Sequence, residues 1–191
     1  MGFYEGHIPK SYKTDEFVFY PLTPDYTQLD YEALMSSQST LRDWSGSTWP
    51  SDDFTLDENR QDLQGHADEF EFGEGYAYTI LNAEETRVEG CFYSNSFLEI
   101  VERFGVASSI EEQINIDDVL VRFWIREERL DEEAKLLDTI IDWINSEWEF
   151  PTVYFATNTK NERQAKLFEA VGMEKEFQWA LGNVRWVQYK L

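Results

Sequence analysis

TVYFATNTKNERQAKLFEAVGM, residues 152–173, is the most informative stretch of the chain. Its first part, VYF at 153–155, is a run of β-forming residues and predicts a buried strand. The second part has the composition of a helix, and Gly172 stands where a helix needs a left-handed residue after its last turn. The stretch therefore predicts a strand, a polar turn and a helix.

The start of this helix has two candidate capping residues. Thr159 and Glu162 have the Ser/Thr-x-x-Glu spacing of a capping box, in which each side chain accepts a hydrogen bond from the other residue's backbone. Asn158 is the second candidate, since asparagine is also favoured at the N-cap.

A second strand and a long amphipathic helix precede this stretch. Residues 119–125, VLVRFWI, are almost continuously apolar, as expected for a strand that is buried on both faces. A helix near 131–148 is predicted by apolar residues that advance by 4, 3, 4, 3 and 4 positions, namely Leu130, Ala134, Leu137, Ile141, Ile144 and Trp148. A strand-helix-strand unit joins parallel strands by a right-handed crossover. Residues 119–155 therefore predict a parallel unit.

Shorter patterns predict the other elements. Thr55 and Glu58 form another capping box, which predicts a helix from 56 to about 70. Further predicted elements are strands at 16–22, 76–81, 88–94 and 183–191, a helical region from 23 to about 44, and an extended connection or short helix at 97–115. We expect one mixed α/β domain over residues 1–191, with an N-terminal arm at 1–15.

The chain of 191 residues carries a formal net charge of −22. Nucleic acids and anionic membrane surfaces are poor partners for such a field. Two interpretations stay open: a solvated acidic surface, or steering of a cationic substrate such as an amine. No apolar run is long enough for a transmembrane helix, and the first residues have no apolar signal segment, so we expect a cytoplasmic protein.

The single cysteine, Cys91, excludes an internal disulfide and a zinc site built on paired cysteines. Its apolar and aromatic neighbours favour a small buried side chain rather than a nucleophile. The sequence contains no motif for a catalytic serine, a metalloprotease site or a phosphate-binding Walker loop, and we expect no metal.

The helix sequence Asn161-x-Arg163-x-Ala165-x-Leu167-Phe168-Glu169-x-x-Gly172-Met173 resembles the C-terminal motif of the GNAT superfamily, the acetyl-CoA-dependent N-acyltransferases. The order of predicted elements is also similar to the GNAT fold, over roughly residues 16–191. The two N-terminal helices and the Trp-Pro loop are most similar to the branch related to ribosomal-protein acetyltransferases. The resemblance implies a mixed, mostly antiparallel central sheet flanked by helices.

The resemblance also implies an activity and a co-substrate. The expected function is an N-acetyltransferase that moves the acetyl group of acetyl-CoA to a small-molecule or peptide amine by direct attack in a ternary complex. The backbone of Phe123, Trp124 and Ile125 would contact the pantetheine arm of the coenzyme. Asn161 matches an asparagine that often contacts the same arm, and a first-turn helix residue that bonds local backbone fits this position equally well. Phe168 takes the position where many members have a tyrosine that protonates the departing thiolate.

The phosphate-binding segment departs from the family pattern. Members place glycines at the N-terminus of the helix after the central strand, where free amides and the helix dipole bind the pyrophosphate. Here the corresponding positions are Asp131 and Glu133. Arg126 and Arg129 would have to supply the phosphate contacts instead, since arginine binds phosphate through paired hydrogen bonds.

The acceptor pocket is expected near Trp44 and Trp49, because the loop between the first two helices shapes this pocket in the family. Either tryptophan could instead only anchor the loop to the core. The general base is not identified. Asp117 and Asp118 precede the central strand, near where some members position an acid, and His66 lies on a predicted helix.

The missing glycines and Phe168 support an alternative function. In that interpretation the chain has kept the GNAT fold, has lost catalysis and serves as a binding module or as a homodimerisation module.

Overall fold

The computed structural model describes residues 2–105 and 108–191 and contains an eight-stranded sheet. The strands follow the order β1-β2-β3-β4-β5-β6-β8-β7. Their bounds are β1 Tyr12–Lys13, β2 Phe17–Pro21, β3 Gly75–Asn82, β4 Val88–Ser96, β5 Asp118–Ile125, β6 Thr152–Asn158, β7 Glu174–Leu181 and β8 Val184–Lys190. Strands β5 and β6 run parallel, and the other neighbouring pairs are antiparallel.

The helices cover both faces of this sheet. Their bounds are α1 Thr27–Met35, α2 Gln38–Ser45, α3 Leu56–Phe72, α4 Phe97–Arg103, α5 Ser108–Glu111, α6 Glu133–Glu147 and α7 Glu162–Ala170, with short 3₁₀ turns at Pro24–Tyr26 and Glu127–Glu132. Helices α6 and α7 pack on one face together with the N-terminal arm. Helices α1 to α4 pack on the other face.

The predicted parallel unit is confirmed. Residues 118–121 of β5 pair in parallel register with residues 152–155 of β6, and α6 joins the two strands. The apolar face of α6 is buried through Leu136, Leu137, Ile140, Trp143 and Ile144. Two positions near its start differ from the prediction: Ala134 is exposed, and Glu133 is buried in its place.

The capping box predicted for α7 is wrong. The N-cap is Asn161, whose side chain accepts a hydrogen bond from the backbone N–H of Gln164. Thr159 lies too early in the chain because Lys160 and Asn161 still belong to the turn. The left-handed residue after the helix is confirmed, since Gly172 has a φ angle of 88°.

Several elements were not predicted, or were only partly predicted. Strand β7 was missed, and it pairs with the predicted terminal strand β8 at the edge of the sheet. The N-terminal arm contributes strand β1, and its apolar side chains pack on the main core. The connection 97–115 contains the short helices α4 and α5.

The capping box at the start of α3 is confirmed, with both of its hydrogen bonds present.

The sheet opens in its middle. The parallel pairing of β5 and β6 ends at Val121 and Phe155, and from Ala156 onward β6 pairs only with β8. Beyond Val121, β5 pairs only with β4. The two strands therefore separate, and their backbones border a gap that reaches from one face of the sheet to the other.

Candidate functional site

The gap between β5 and β6 is filled by side chains of this chain. The indole nitrogen Nε1 of Trp44 donates a hydrogen bond of 2.6 Å to the carbonyl oxygen of Phe123. The side-chain amide of Gln164, in α7, donates to the same oxygen over 3.1 Å. The family resemblance assigns the backbone of Phe123 to the pantetheine arm, and its carbonyl oxygen already accepts two hydrogen bonds. Trp124 and Ile125 follow it on the same strand, and both side chains are buried.

The end of α2 is fastened to the gap by a second set of contacts. The side-chain amide of Asn158 donates to the carbonyl oxygens of Asp43 and Trp44, each over 2.9 Å. Nη2 of Arg122 donates to the Trp44 carbonyl over 3.2 Å. Trp44 is therefore held at both its backbone and its side chain, in the space between the separating strands.

A carboxylate lies at the N-terminus of α6. The side chain of Glu133 is buried and forms an ion pair with Arg163 of α7. Its Oε1 accepts a hydrogen bond of 3.4 Å from the amide of Gln164. A helix N-terminus attracts negative charge, and here the chain supplies that charge itself. Asp131, the other position where the family has glycine, is exposed on the 3₁₀ turn.

The two arginines predicted to bind phosphate have partners elsewhere. Arg126 is buried, with Nε donating to the Val88 carbonyl over 2.5 Å and Nη1 donating to the Ser36 hydroxyl over 2.9 Å. Desolvation by burial lowers the pKa of Arg126. Arg129 forms an ion pair with Glu89 at 3.1 Å and another with Glu132.

Asn161 and Phe168 lie on the helix that borders the gap. Besides capping α7, Asn161 donates from Nδ2 to the side-chain oxygen of Gln164 over 3.3 Å. Phe168 is 1% exposed and packs its ring on the rings of Phe123 and Phe155, with centroid distances of 6.2 and 5.5 Å. It therefore touches both strands at the gap, and its ring has no acidic proton.

The residues on this face of the gap do not fit the diphosphate and pantetheine of a coenzyme A molecule. A buried carboxylate would repel the phosphates, and the strand carbonyl that would accept the arm's amide is already used. The free volume between Trp44 and Glu133 is about 10 Å³. A larger opening of about 280 Å³ lies outside it, at the N-terminus of α7, next to Asn161 and Arg163.

The other face of the gap holds a cavity of about 370 Å³. Both tryptophans predicted for the acceptor pocket, Trp44 and Trp49, line it. It lies where the strands separate, because Arg122 and Ala156, the first residues beyond the parallel pairing, are part of its wall. The remaining lining residues are Ser45, Asp62, His66, Glu69, Tyr93, Asn95, Ile100, Arg103, Phe104, Leu120, Trp179, Leu181 and Trp186. Trp44 therefore separates this cavity from the small space beside Glu133.

Two arginines line the cavity, Arg103 of α4 and Arg122 of β5, and Arg122 lies at the point where the strands separate. Its guanidinium carbon lies 3.9 Å from the ring centroid of Trp44 and 4.5 Å from that of Trp186, so that the charge is stacked between two indoles. Desolvation lowers the pKa of Arg122 to about 10. Within residues 2–105 and 108–191 it makes no ion pair with a carboxylate.

Acidic groups and a histidine form another part of the wall. Nδ1 of His66 and a carboxylate oxygen of Glu69 lie 3.2 Å apart. Burial lowers the pKa of His66, but the bond to Glu69 and the nearby Asp62 outweigh that effect, and the net shift of the pKa is upward. Among the candidate bases, His66 lines the cavity, whereas Asp117 and Asp118 do not. Asp118 is buried and accepts a hydrogen bond from the backbone of Asn115 at the start of β5.

A buried acid lies behind this wall. Asp30 of α1 is 2% exposed, and its carboxylate accepts a hydrogen bond from the thiol of Cys91, with the sulfur and oxygen 3.6 Å apart. Desolvation raises the pKa of Asp30 to about 6, although hydrogen bonds from Asn59 and Cys91 oppose this shift. Burial also raises the pKa of the Cys91 thiol, in agreement with its expected role as a buried side chain.

Sequence reasoning did not identify four residues that shape the gap: Arg122, Glu133 as a buried group, Asn158 as a clamp on α2, and Gln164. For Arg122 a signal was present, because it is the single charged residue within the apolar strand VLVRFWI. The other three act through contacts between distant parts of the chain, for which the sequence carries no local pattern.

Residues 2–105 and 108–191 contain neither a metal-binding cluster nor a membrane-spanning helix. No group of three or more histidine, cysteine, aspartate or glutamate side chains there is arranged to hold a metal ion. No helix there is both long and apolar enough to cross a membrane.

No protein-family model and no curated protein sequence matches this chain. Its structure is similar to a ribosomal-protein-S5-alanine acetyltransferase from Vibrio fischeri, with a TM-score of 0.68, 13% identity and 95% of each chain covered. It is also similar to RimL, a ribosomal L7/L12 α-N-protein acetyltransferase (TM-score 0.69, 11% identity, 97% of this chain and 95% of that one). The aminoglycoside acetyltransferase AAC(6')-Ib, solved in complex with coenzyme A, has a TM-score of 0.66 at 14% identity, over 92% and 94% of the two chains. These neighbours are acetyltransferases, and the chain has the GNAT acetyltransferase fold.

Proposed function

We propose that this protein binds a small molecule in the 370 Å³ cavity and that it does not use acetyl-CoA. The cavity has the size of a small-molecule site and combines apolar walls with a few charged groups, the usual composition of such sites. In this proposal the GNAT fold serves as a binding module, and the separated strands supply the wall of the cavity rather than a coenzyme site.

One observation carries the proposal, the buried carboxylate of Glu133 at the N-terminus of α6, which forms an ion pair with the partly exposed Arg163. In the GNAT pattern this is the place of the coenzyme's pyrophosphate. A phosphate entering there would have to displace the carboxylate from its partner or lie beside it without a counter-charge. Both cost free energy, because a buried charge that loses its partner is strongly destabilising.

The contacts around Phe123 support the same proposal. Binding of the pantetheine arm would require Trp44 and Gln164 to give up their hydrogen bonds to the Phe123 carbonyl. Trp44 would also lose its stacking on Arg122. A ligand in the cavity on the other face requires none of these changes.

Acetyl transfer to an amine is the second candidate function. It is favoured by the separation of β5 and β6 after Val121 and Phe155 and by the acetyltransferase neighbours, one of which holds coenzyme A. In this candidate acetyl-CoA is the co-substrate and the amine is a small molecule or a peptide. His66 is then the first group to test as the base, since it is the candidate base that lines the cavity.

Calorimetric titration with acetyl-CoA separates the two candidates. We expect no binding to the native protein at millimolar acetyl-CoA, and no change in its melting temperature. AAC(6')-Ib, which binds coenzyme A, is the positive control for the ligand preparation. Saturable binding to the native protein would contradict the proposal and favour acetyl transfer.

The variant Glu133→Gln sharpens this test. It removes the buried negative charge and leaves Arg163 free to meet a phosphate. If the carboxylate is the main obstacle, Glu133→Gln should bind acetyl-CoA measurably while the native protein does not. The control is Asp138→Asn, which removes an exposed acid from the same helix.

A further inference from the structure

The charged groups of the cavity are distributed unevenly. The guanidinium of Arg122 lies at the side where β5 and β6 separate. Asp62 and Glu69, with His66 between them in sequence, lie on α3. The cavity therefore presents a cation from the sheet and acids from α3, and Arg103 of α4 adds a second cation near Glu69.

Arg122 has unused capacity for hydrogen bonds. Nη2 donates to the carbonyl of Trp44, whereas Nε is inaccessible to solvent and has no acceptor among the described residues. Arg42, Arg87, Arg129 and Arg163 all form ion pairs with carboxylates. Arg126 is buried without such an ion pair, but its Nε and Nη1 both donate hydrogen bonds within the chain. Arg122 is largely desolvated and its Nε donates none among the described residues, so a counter-charge from outside the chain would stabilise it.

The two stacked indoles hold the guanidinium of Arg122 in place for binding a planar anion. Trp44 and Trp186 both lie against the guanidinium, so that its terminal N–H groups are the part that can meet a ligand. A carboxylate matches this edge, because its two oxygens accept parallel hydrogen bonds from arginine. The stacking also lowers the entropy cost of binding, because the side chain is already held in place.

The acids of α3 restrict the ligand further. A dianion such as a phosphate would meet repulsion from Asp62 and Glu69 and from the net charge of −22. A ligand that also carries an ammonium group would gain from the same acids. The lining of the cavity also includes the apolar side chains Leu120 and Trp49, which suit an apolar part of the ligand.

We propose that the cavity binds a zwitterion of the amino-acid type, with its carboxylate paired to Arg122 and its ammonium group directed toward Asp62 and Glu69. This inference rests on the proposed function, since it names the class of ligand for that same cavity. It gives the unpaired arginine its missing partner and explains why acids share a cavity with it.

Three probes with one apolar body test the charge requirement: L-phenylalanine, 3-phenylpropionate, which lacks the amine, and phenethylamine, which lacks the carboxylate. Binding is measured by tryptophan fluorescence, because Trp44, Trp49 and Trp186 line the cavity, and by thermal shift. We expect L-phenylalanine to bind most tightly and each single-charge probe to bind about tenfold more weakly or not at all.

Two substitutions assign the carboxylate contact. Arg122→Gln should weaken L-phenylalanine binding by about tenfold or more, and Arg122→Lys should recover part of this loss, since it restores the charge without the planar edge. Arg60→Gln is the matched control, because Arg60 is exposed on α3 and does not line the cavity. The melting temperature of each unliganded variant shows whether it is folded.

Three outcomes would overturn the inference: equal binding of phenethylamine and L-phenylalanine, unchanged affinity in folded Arg122→Gln, or no binding of any probe at millimolar concentration. The proposed function fails on a different result, namely saturable binding of acetyl-CoA to the native protein. The two failures are thus distinguishable in the same preparation.

Discussion

The two faces of the gap between β5 and β6 differ in how their charges are partnered. On the α6 face the buried carboxylate of Glu133 is matched by Arg163 and by the amide of Gln164. On the opposite face the guanidinium of Arg122 contacts two indoles and one carbonyl oxygen, with no acid beside it in the described chain. The free volume is also much smaller on the α6 face, with about 10 Å³ between Trp44 and Glu133, than on the opposite face, with about 370 Å³ beside Arg122.

Whether a charge has a partner in the same chain distinguishes residues that close a site from residues that leave a site open to a ligand. A charge whose partner comes from the same chain is already compensated, and a ligand must compete with that partner. A desolvated charge without such a partner gains when a ligand supplies one. The same fold therefore has one face that is closed by its own side chains and one face that can accept a ligand.

Trp44 stands between the two faces, and its removal has the largest expected effect. Trp44→Ala deletes a side chain that is 8% exposed, together with its hydrogen bond to Phe123 and its stacking on Arg122. We expect a loss of about 3–5 kcal/mol in the free energy of unfolding, measured by urea denaturation. Trp49→Ala is the control, since Trp49 lines the same cavity but is only partly buried. Equal losses in the two variants would show that Trp44 does not hold the gap closed.

The second prediction concerns Asp30, the buried acid behind the wall of the 370 Å³ cavity. Desolvation by burial raises the pKa of Asp30 to about 6, from 3.8 for an unburied aspartate. Between these values the folded state binds more protons than the unfolded state, so the contribution of Asp30 to stability falls as pH rises from about 4 to about 6. At pH 7 the ionised side chain should cost about 2–3 kcal/mol.

Asp30→Asn should therefore stabilise the protein at pH 7 and have a much smaller effect at pH 4. Its new amide N–H group can also donate to the side-chain oxygen of Asn59, which is buried and has no hydrogen-bond partner within residues 2–105 and 108–191. The measurement is the difference in unfolding free energy between the native protein and the variant across this pH range. If the difference in unfolding free energy does not change with pH, the pKa of Asp30 is not raised in the folded protein.

The fold could be predicted from the sequence where the apolar pattern is strong. The strands β5 and β6 and the buried stripe of α6 follow from runs of apolar residues, because a sheet covered on both faces needs continuous apolar strands. Strand β7 could not be predicted in this way. It is an edge strand in which only Phe177 is buried, so no alternation marks it.

The site could be predicted less well. Trp44 and Trp49 were placed in the acceptor pocket on the strength of the resemblance, and both line the cavity. Their contribution to ligand binding stays a prediction, as do the assigned coenzyme contacts. Glu133 has the sequence context of an exposed first-turn acid, and its burial depends on Arg163, which lies on a separate helix. Such pairing is a tertiary contact, and the local sequence does not encode it.

The third prediction tests whether Glu133 and Arg163 stabilise each other on the α6 face of the gap. Glu133→Gln removes the ion pair with Arg163 but keeps a side chain of similar size. Because the Arg163 side chain is 39% exposed and can be hydrated once released, we expect a loss of only about 1–2 kcal/mol. The double variant with Arg163→Gln should lose less than the sum of the two single variants. Additive losses in this cycle would show that the two charges do not stabilise each other.

The smallest expected effect concerns Asn161 at the edge of the closed face. The family resemblance assigns it to the coenzyme, whereas in the structure its side chain caps α7. Loss of an N-cap asparagine typically costs about 1 kcal/mol, so Asn161→Ala should lower the unfolding free energy by about that amount. Thr159→Ala should change it by less than about 0.5 kcal/mol, because Thr159 is exposed and caps no helix. A larger loss for Thr159→Ala would restore the capping box predicted from the sequence. A loss near zero for Asn161→Ala would show that this side chain does not stabilise α7 and that its amide is free to contact a ligand.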